Sequence, residues 1–156
     1  MSVQFGERLG WTGSITDVSD SPKEMLGVRR IELGDEGRKV YVYVHNGEAS
    51  DSLDEGMLAK WEDVDEAEVQ RGDGAGNLIA GVAIADIPAG EYGWIQTSGY
   101  HEAIDADGST AAGDAMIADG TSAGRVAAGD APTRRVVAWA MDEESDGAAP
   151  GYIVLE

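Results

Sequence analysis

The chain has 156 residues, with 11 Lys and Arg set against 30 Asp and Glu, giving a formal charge of −19 on a sequence that is 42% hydrophobic. That length is one domain of ordinary size. The absence of Cys excludes a disulfide framework, a thiolate metal site and a Cys nucleophile, and a balance this acidic disfavours nucleic acid and anionic membranes as partners.

Residues 1–27 carry Gly6, Gly10, Gly13 and Pro22 among scattered apolar side chains and no periodic pattern. They are read as an extended N-terminal arm ahead of a domain at residues 28–156, with Phe5, Leu9, Trp11 and Ile15 as apolar anchors for a partner. A strand is predicted from Val28 to Leu33, a hairpin loop at Gly34-Asp35-Glu36-Gly37, and a second strand from Arg38 to His45. In the second strand Val40, Val42 and Val44 alternate with Tyr41, Tyr43 and His45, so the valines face a core and the other set faces outward or a neighbour. Asn46-Gly47 is a turn signal.

Ser50 to Glu68 reads two ways. Ser52 with Glu55 forms a capping box ahead of Met57, Leu58 and Trp61 at helical spacing, whereas Gly56 weakens a helix there. Leu78 to Ala85 is a strand, Ile87-Pro88-Ala89-Gly90 a turn, and Tyr92 to Tyr100 the next strand. Shorter strands are expected at Ala115 to Ala118, Gly124 to Ala127, Arg135 to Met141 and Gly151 to Leu155. Strands recurring every 8 to 12 residues or so predict an all-β fold: a small β-barrel, β-tulip-like or sandwich domain. No apolar run approaches the roughly 18 residues of a membrane span, and MSVQFGERLG lacks the regions of a signal peptide, so a soluble product with no recognisable address is expected.

Candidate chemistry is sparse. His45 and His101 are far apart in sequence and lack metal-ligand spacing, so packed or solvent-facing histidines are the better reading. Asp105-Ala106-Asp107-Gly108-Ser109 opens like a calcium loop, but Gly stands fourth and Met116 takes the place of the bidentate Glu, which favours a plain hairpin turn. Gly72, Gly74 and Gly76 lack the spacing of a dinucleotide loop, and Gln96 stands where a nucleophile elbow at Ser98 needs Gly. Arg71-Gly72-Asp73 spells an adhesion tripeptide of a length that recurs by chance. Carboxylate pairs are too numerous for any one to be informative. No catalytic, cofactor-binding or metal-ligating residue is assigned, and no cofactor is expected. Trp94 and Trp139 are assigned to packing and Trp11 to contact; Tyr92, Trp94, Ile95 and Trp139 together are expected in the core or a subunit contact. The acidity is spread along the whole chain, which suits a salt-rich cytoplasm such as that of a halophilic microbe.

Gly81-Val-Ala-Ile-Ala-Asp-Ile-Pro-Ala-Gly-Glu-Tyr-Gly-Trp-Ile-Gln-Thr-Ser-Gly99 resembles a segment of the small capsid decoration, or cement, proteins of tailed viruses. A strand reading GVA there leads through PAG to a YGWIQxSG strand. Arg38-Lys-Val-Tyr-Val-Tyr-Val, Ala112-Gly113-Asp114 and Ala123-Gly124-Arg125-Val126 resemble the family's further strand and turns, so the resemblance covers about residues 27 to 156. It implies a β-barrel or β-tulip-like domain that trimerises on the outer capsid surface of the virion and clamps neighbouring major capsid protein subunits. It also favours strand over helix for Ser50 to Glu68, and it carries no catalytic residues. Removal of residues 1–20 is then expected to leave the domain folded and abolish capsid binding. Two further readings stand beside this one: a receptor- or glycan-binding head fibre or spike domain, and a trimeric β-fold nucleotide hydrolase.

Overall fold

The computed structural model describes residues 13–73, 78–129 and 135–155, and these are all-β, with no helix. Ten strands follow one another: β1 Arg29–Gly34, β2 Gly37–Asn46, β3 Leu58–Asp63, β4 Glu68–Arg71, β5 Ile79–Ala83, β6 Tyr92–Asp105, β7 Ala115–Ala118, β8 Val126–Ala128, β9 Val136–Ala140 and β10 Ala148–Val154. They form one ring-like sheet in the order β1-β2-β4-β3-β5-β6-β10-β9-β7-β8, with β2 also paired to β6.

The 14-residue strand β6 organises this sheet. Its first half pairs with β2 on one side and β5 on the other, and its second half pairs with β10. One circuit therefore runs β2-β4-β3-β5-β6 and closes on itself. A second runs β6-β10-β9-β7-β8 and returns to the chain just after β6, where Ala106 bridges Val126 and the Asp107 N–H donates to the Val126 carbonyl at 3.0 Å. Each circuit has its own core. Val42, Val44, Leu53, Val69, Ile87 and Ile95 fill the first, while Leu58, Ile104, Met116, Val126, Val137 and Ile153 are among those filling the second.

Strands β3 and β5 serve both cores. Ala59 pairs with Gly81 while Lys60 pairs with Ile79, so Ala80 is left over in a bulge. The slip turns Ile79 and Val82 to the second core and Ala80 and Ala83 to the first. All five residues of β5 are buried in consequence, where simple alternation would leave one face in water.

The Ser50 to Glu68 segment is strand and turn. Leu53 and Leu58 belong to different cores, which one face of a helix could not reach. Ser52 bonds Asp54 instead of capping a helix, the Glu55 N–H goes to Asp86 at 2.8 Å, and Gly56 turns the chain at φ +89°. The short strand β4 carries no local sign beyond Val69. The predicted loop at Gly34 to Gly37 closes the β1–β2 hairpin, with Gly37 at φ +96° in a region that side chains avoid. Asp105 to Ser109 is a turn but not a hairpin, because β6 pairs with β10 and β7 with β9.

Where residues 13–27 are described, they lie on the chain's own sheet. Tyr41, Tyr43 and Trp94 form a third cluster on the face of β2 and β6 opposite the first core, and Ile15, Leu26 and Val28 pack over it. Ser19 and Tyr92 exchange two backbone hydrogen bonds at 3.1 and 2.9 Å, and the Gly27 N–H reaches the Tyr43 carbonyl at 2.8 Å. The Lys23 N–H donates to the Tyr43 hydroxyl at 3.1 Å. Both faces of β2 are thus buried, the tyrosines as deeply as the valines.

Candidate binding surface

Under that covering segment sits Arg30, only 3% exposed. A buried guanidinium needs a partner for its charge and for its N–H groups. Arg30 donates from Nε and Nη2 to Glu32 Oε1 at 3.0 and 2.5 Å and from Nη1 to the Gly13 carbonyl at 3.3 Å, and it lies 5.6 Å from the centre of the Trp94 ring. The residue therefore ties residue 13 to β1 and β6.

Beside this cluster a cleft of about 230 Å³ opens between the covering segment, the β1–β2 hairpin and β6. Tyr41, Gln96, His101, Lys39, Glu55 and Glu102 line it. Burial lowers the pKa of His101, with the Ala83 carbonyl opposing that shift, Lys39 reinforcing it and Glu102 again opposing it. Its Nδ1 accepts the Ala103 N–H at 3.2 Å, so the network assigns a neutral ring, protonated at Nε2 toward Ala83. His101 is a satisfied core histidine. His45 lies near the other end of β6, paired with Tyr92 and 3.3 Å from Glu68, on the order of 30 Å away along the strand. The two histidines do not meet, and no group of three metal-ligating side chains occurs among the described residues.

Burial pushes the Tyr41 hydroxyl up from 10.0 to about 12, with the charges of Glu32 and Glu36 adding to the effect. Because the folded value lies above the unfolded one, the contribution to stability is complete below about pH 10 and is lost as the pH rises through about 12. Tyr41→Phe should abolish this loss, leaving wild type to fall relative to the variant by about 2 to 3 kcal/mol across that window. Urea melts at pH 9 to 12 test it, and parallel pH profiles for the two chains would refute it.

The other expected site residues divide. Phe5, Leu9 and Trp11 lie outside the described residues. Ile15 packs on the third cluster, as part of the chain's own fold. Ile95 is fully buried in the first core, Trp94 is 3% exposed with its ring 5.1 Å from Tyr43, and the half-buried Tyr92 stacks at 4.8 Å on His45. Trp139 is not a core residue: it is 46% exposed on the outer face of β9. Arg71 of the adhesion tripeptide bonds the Ser52 carbonyl at 2.8 Å and Asp73 pairs with Lys60 at 3.0 Å, so both work structurally. Gly72 donates to the Leu58 carbonyl at 2.7 Å and accepts from the Gly124 N–H at 2.6 Å, while Gly74 and Gly76 lie outside the described residues.

Trp139 is one of three rings in a row. Tyr152 on β10 pairs directly with Trp139 on β9 and with Tyr100 on β6. Residues directly opposite in antiparallel strands share a face, so the three rings stand abreast on the outside of the sheet. Tyr152 is 40% exposed, Tyr100 is half-buried, and Met141 and Val154 flank them. The alternation of Tyr152 and Val154 with Ile153 and Leu155 signals an outward face in the sequence, but the partners of β10 are non-local and carry no such signal.

No family model matches the sequence, and no curated protein matches it. Three chains of solved structures match. One is the crystal structure of head fiber gp8.5 N base in bacteriophage phi29, which superposes with a TM-score of 0.52 at 18% identity over 76% of this chain and 96% of that chain. At that identity the likeness is one of fold.

Proposed function

We propose that this chain is a non-enzymatic structural protein of a tailed-virus particle, carried on the outside of the capsid. The observation that supports this reading is the fold likeness, which takes in nearly the whole of a head fibre base. The resemblance of Gly81 to Gly99 to decoration proteins points the same way. In its finer form the proposal is that the chain binds major capsid protein subunits as a trimer and cements the contacts between them, with the segment bearing Phe5, Leu9 and Trp11 gripping the capsid. Trimer contacts would also cover the open edge that the terminal strand β1 presents. Cementing works by mass action: a protein that binds the assembled shell and not free subunits stabilises the assembly. The test is to add purified chain to undecorated capsids and follow co-sedimentation and the temperature of shell rupture. Saturable binding at three copies per site with a raised rupture temperature is expected, and a chain that stays in the supernatant at every ratio refutes the proposal.

The host we propose is halophilic. A charge of −19 repels itself across a small domain, and the Debye length shrinks from about 8 Å at 0.15 M salt to about 3 Å at 1 M. The melting temperature should therefore climb as KCl is raised from 0.1 to 2 M. A flat or falling series would remove the halophilic assignment without touching the capsid role.

A further inference from the structure

We infer that the outer face of β6, β10 and β9 is a stacking platform for a neutral polysaccharide, with Trp139, Tyr152 and Tyr100 as its three rings. Adjacent strands are about 4.8 Å apart, so the three residues are spread over about 10 Å of one sheet face. Each ring offers a flat apolar face and a polar tip, the pairing that suits the alternating C–H faces and hydroxyl rims of sugar rings. Among the described residues, no hydrogen bond engages either hydroxyl or the indole N–H. At a dry protein interface those three groups would be buried unpaired at a cost, whereas sugar hydroxyls supply partners for all of them.

The row has a defined end. Lys39 Nζ lies 5.6 Å over the Tyr100 ring, and beyond it opens the cleft lined by Gln96, His101 and Glu102. Beyond Trp139 the paired residue on β7 is the small, buried Ala115. A chain of sugars can therefore lie across the strands, stack on the rings, and place its last unit beside hydrogen-bonding groups. The net charge of −19 disfavours anionic polymers, which leaves a neutral one as the occupant. The inference rests on this geometry and not on the capsid proposal.

The test uses the full chain with three insoluble neutral polysaccharides as probes: cellulose, chitin and starch granules. Depletion from solution and the shift in tryptophan emission give the affinity for each. Wild type should be retained by at least one of the three. Trp139→Ala and Tyr152→Ala should each weaken retention about tenfold, with melting temperatures near wild type because both side chains are on the surface. Tyr152→Phe, which keeps the ring and loses the hydroxyl, should retain most of the binding. No retention on any of the three probes overturns the proposal, as does retention that both alanine variants leave unchanged. Loss of capsid co-sedimentation in Trp139→Ala, with no polysaccharide retention by wild type, would instead make this face a protein interface. A chain that binds capsids and polysaccharide alike, or polysaccharide alone, separates the fate of this inference from that of the capsid role.

Discussion

A chain starting at Val28 should be less stable than one starting at Gly13 by about 4 kcal/mol, although neither truncation touches a residue in a named strand. Residues 13–27 supply Ile15 and Leu26 to the cover of Tyr41, Tyr43 and Trp94. Burying apolar side chains of that size is worth roughly 1.5 to 3 kcal/mol each. The backbone bonds to Tyr92 and Tyr43 contribute about 1 kcal/mol apiece, and ordering the segment takes part of the total back. A loss of that size is a large share of the roughly 5 to 15 kcal/mol that holds a domain together. It also strips Arg30 of its Gly13 contact and wets the charge. Denaturation followed by tryptophan emission is the measurement, because Trp94 passes from a buried to a hydrated site in the shorter chain. Coincident midpoints for the two truncations would show that the segment is an ornament. On the capsid proposal, the longer truncated chain is informative in its own right: it lacks Phe5, Leu9 and Trp11, so it should stay folded and lose capsid binding.

That result also bears on how far the sequence can be read. Eight of the ten strands announce themselves by short apolar runs between turn residues, because each is local: β2 by alternating Val and Tyr, β6 by the run from Tyr92, β7 by Ala115 to Ala118, whereas β3 lies in a segment that reads as helix or strand and β4 shows only Val69. What is not legible is which faces are covered. Tyr41 and Tyr43 alternate with valines as an outward face would, and only a segment about 20 residues upstream, itself without periodicity, turns that face into a core. The same gap hides the second core. Leu58 and Met57 look like neighbours on a helix, but the chain meets two cores in succession there, and the bulge at Ala80 that allows it depends on a pairing with β3 that no local rule supplies. Trp139 shows the limit for the site. An isolated Trp in an apolar strand reads as packing, and its place in an exposed aromatic row follows only from the β9–β10–β6 register. The glycines of Gly81 to Gly99 carry information of another kind. A side chain at Gly81 would press on the Gln96 carbonyl and one at Gly93 on Ile87, so the segment's spacing records close approaches within the first circuit.

Gly99 is the severest of these, and Gly99→Ala should cost about 2 to 5 kcal/mol. It sits where β6 leaves its pairing with β2 and passes into the second circuit, next to the irregular step at Val40 and Tyr41. Two independent terms add. Its φ of +98° lies where an L side chain is strained, worth about 1 to 2 kcal/mol. A Cβ there would also overlap the Arg38 carbonyl and come to 3.1 Å from the Lys39 Cα, in backbone that cannot swing aside as a side-chain end would. Overpacking of that kind typically costs about 1 to 3 kcal/mol. Gly90, in the turn before β6, separates the two terms, because it has φ +78° but nothing within 4 Å of where a methyl group would stand. Gly90→Ala should lose only the strain, about 1 kcal/mol. Urea midpoints for the pair of variants decide the matter. If they fall together, the approach of β2's carbonyl to β6 is not what fixes the crossing between the two circuits. If Gly99→Ala falls several times further, the junction that holds both cores in one sheet, and with it the placing of Tyr100 at the end of the aromatic row, depends on the absence of one methyl group.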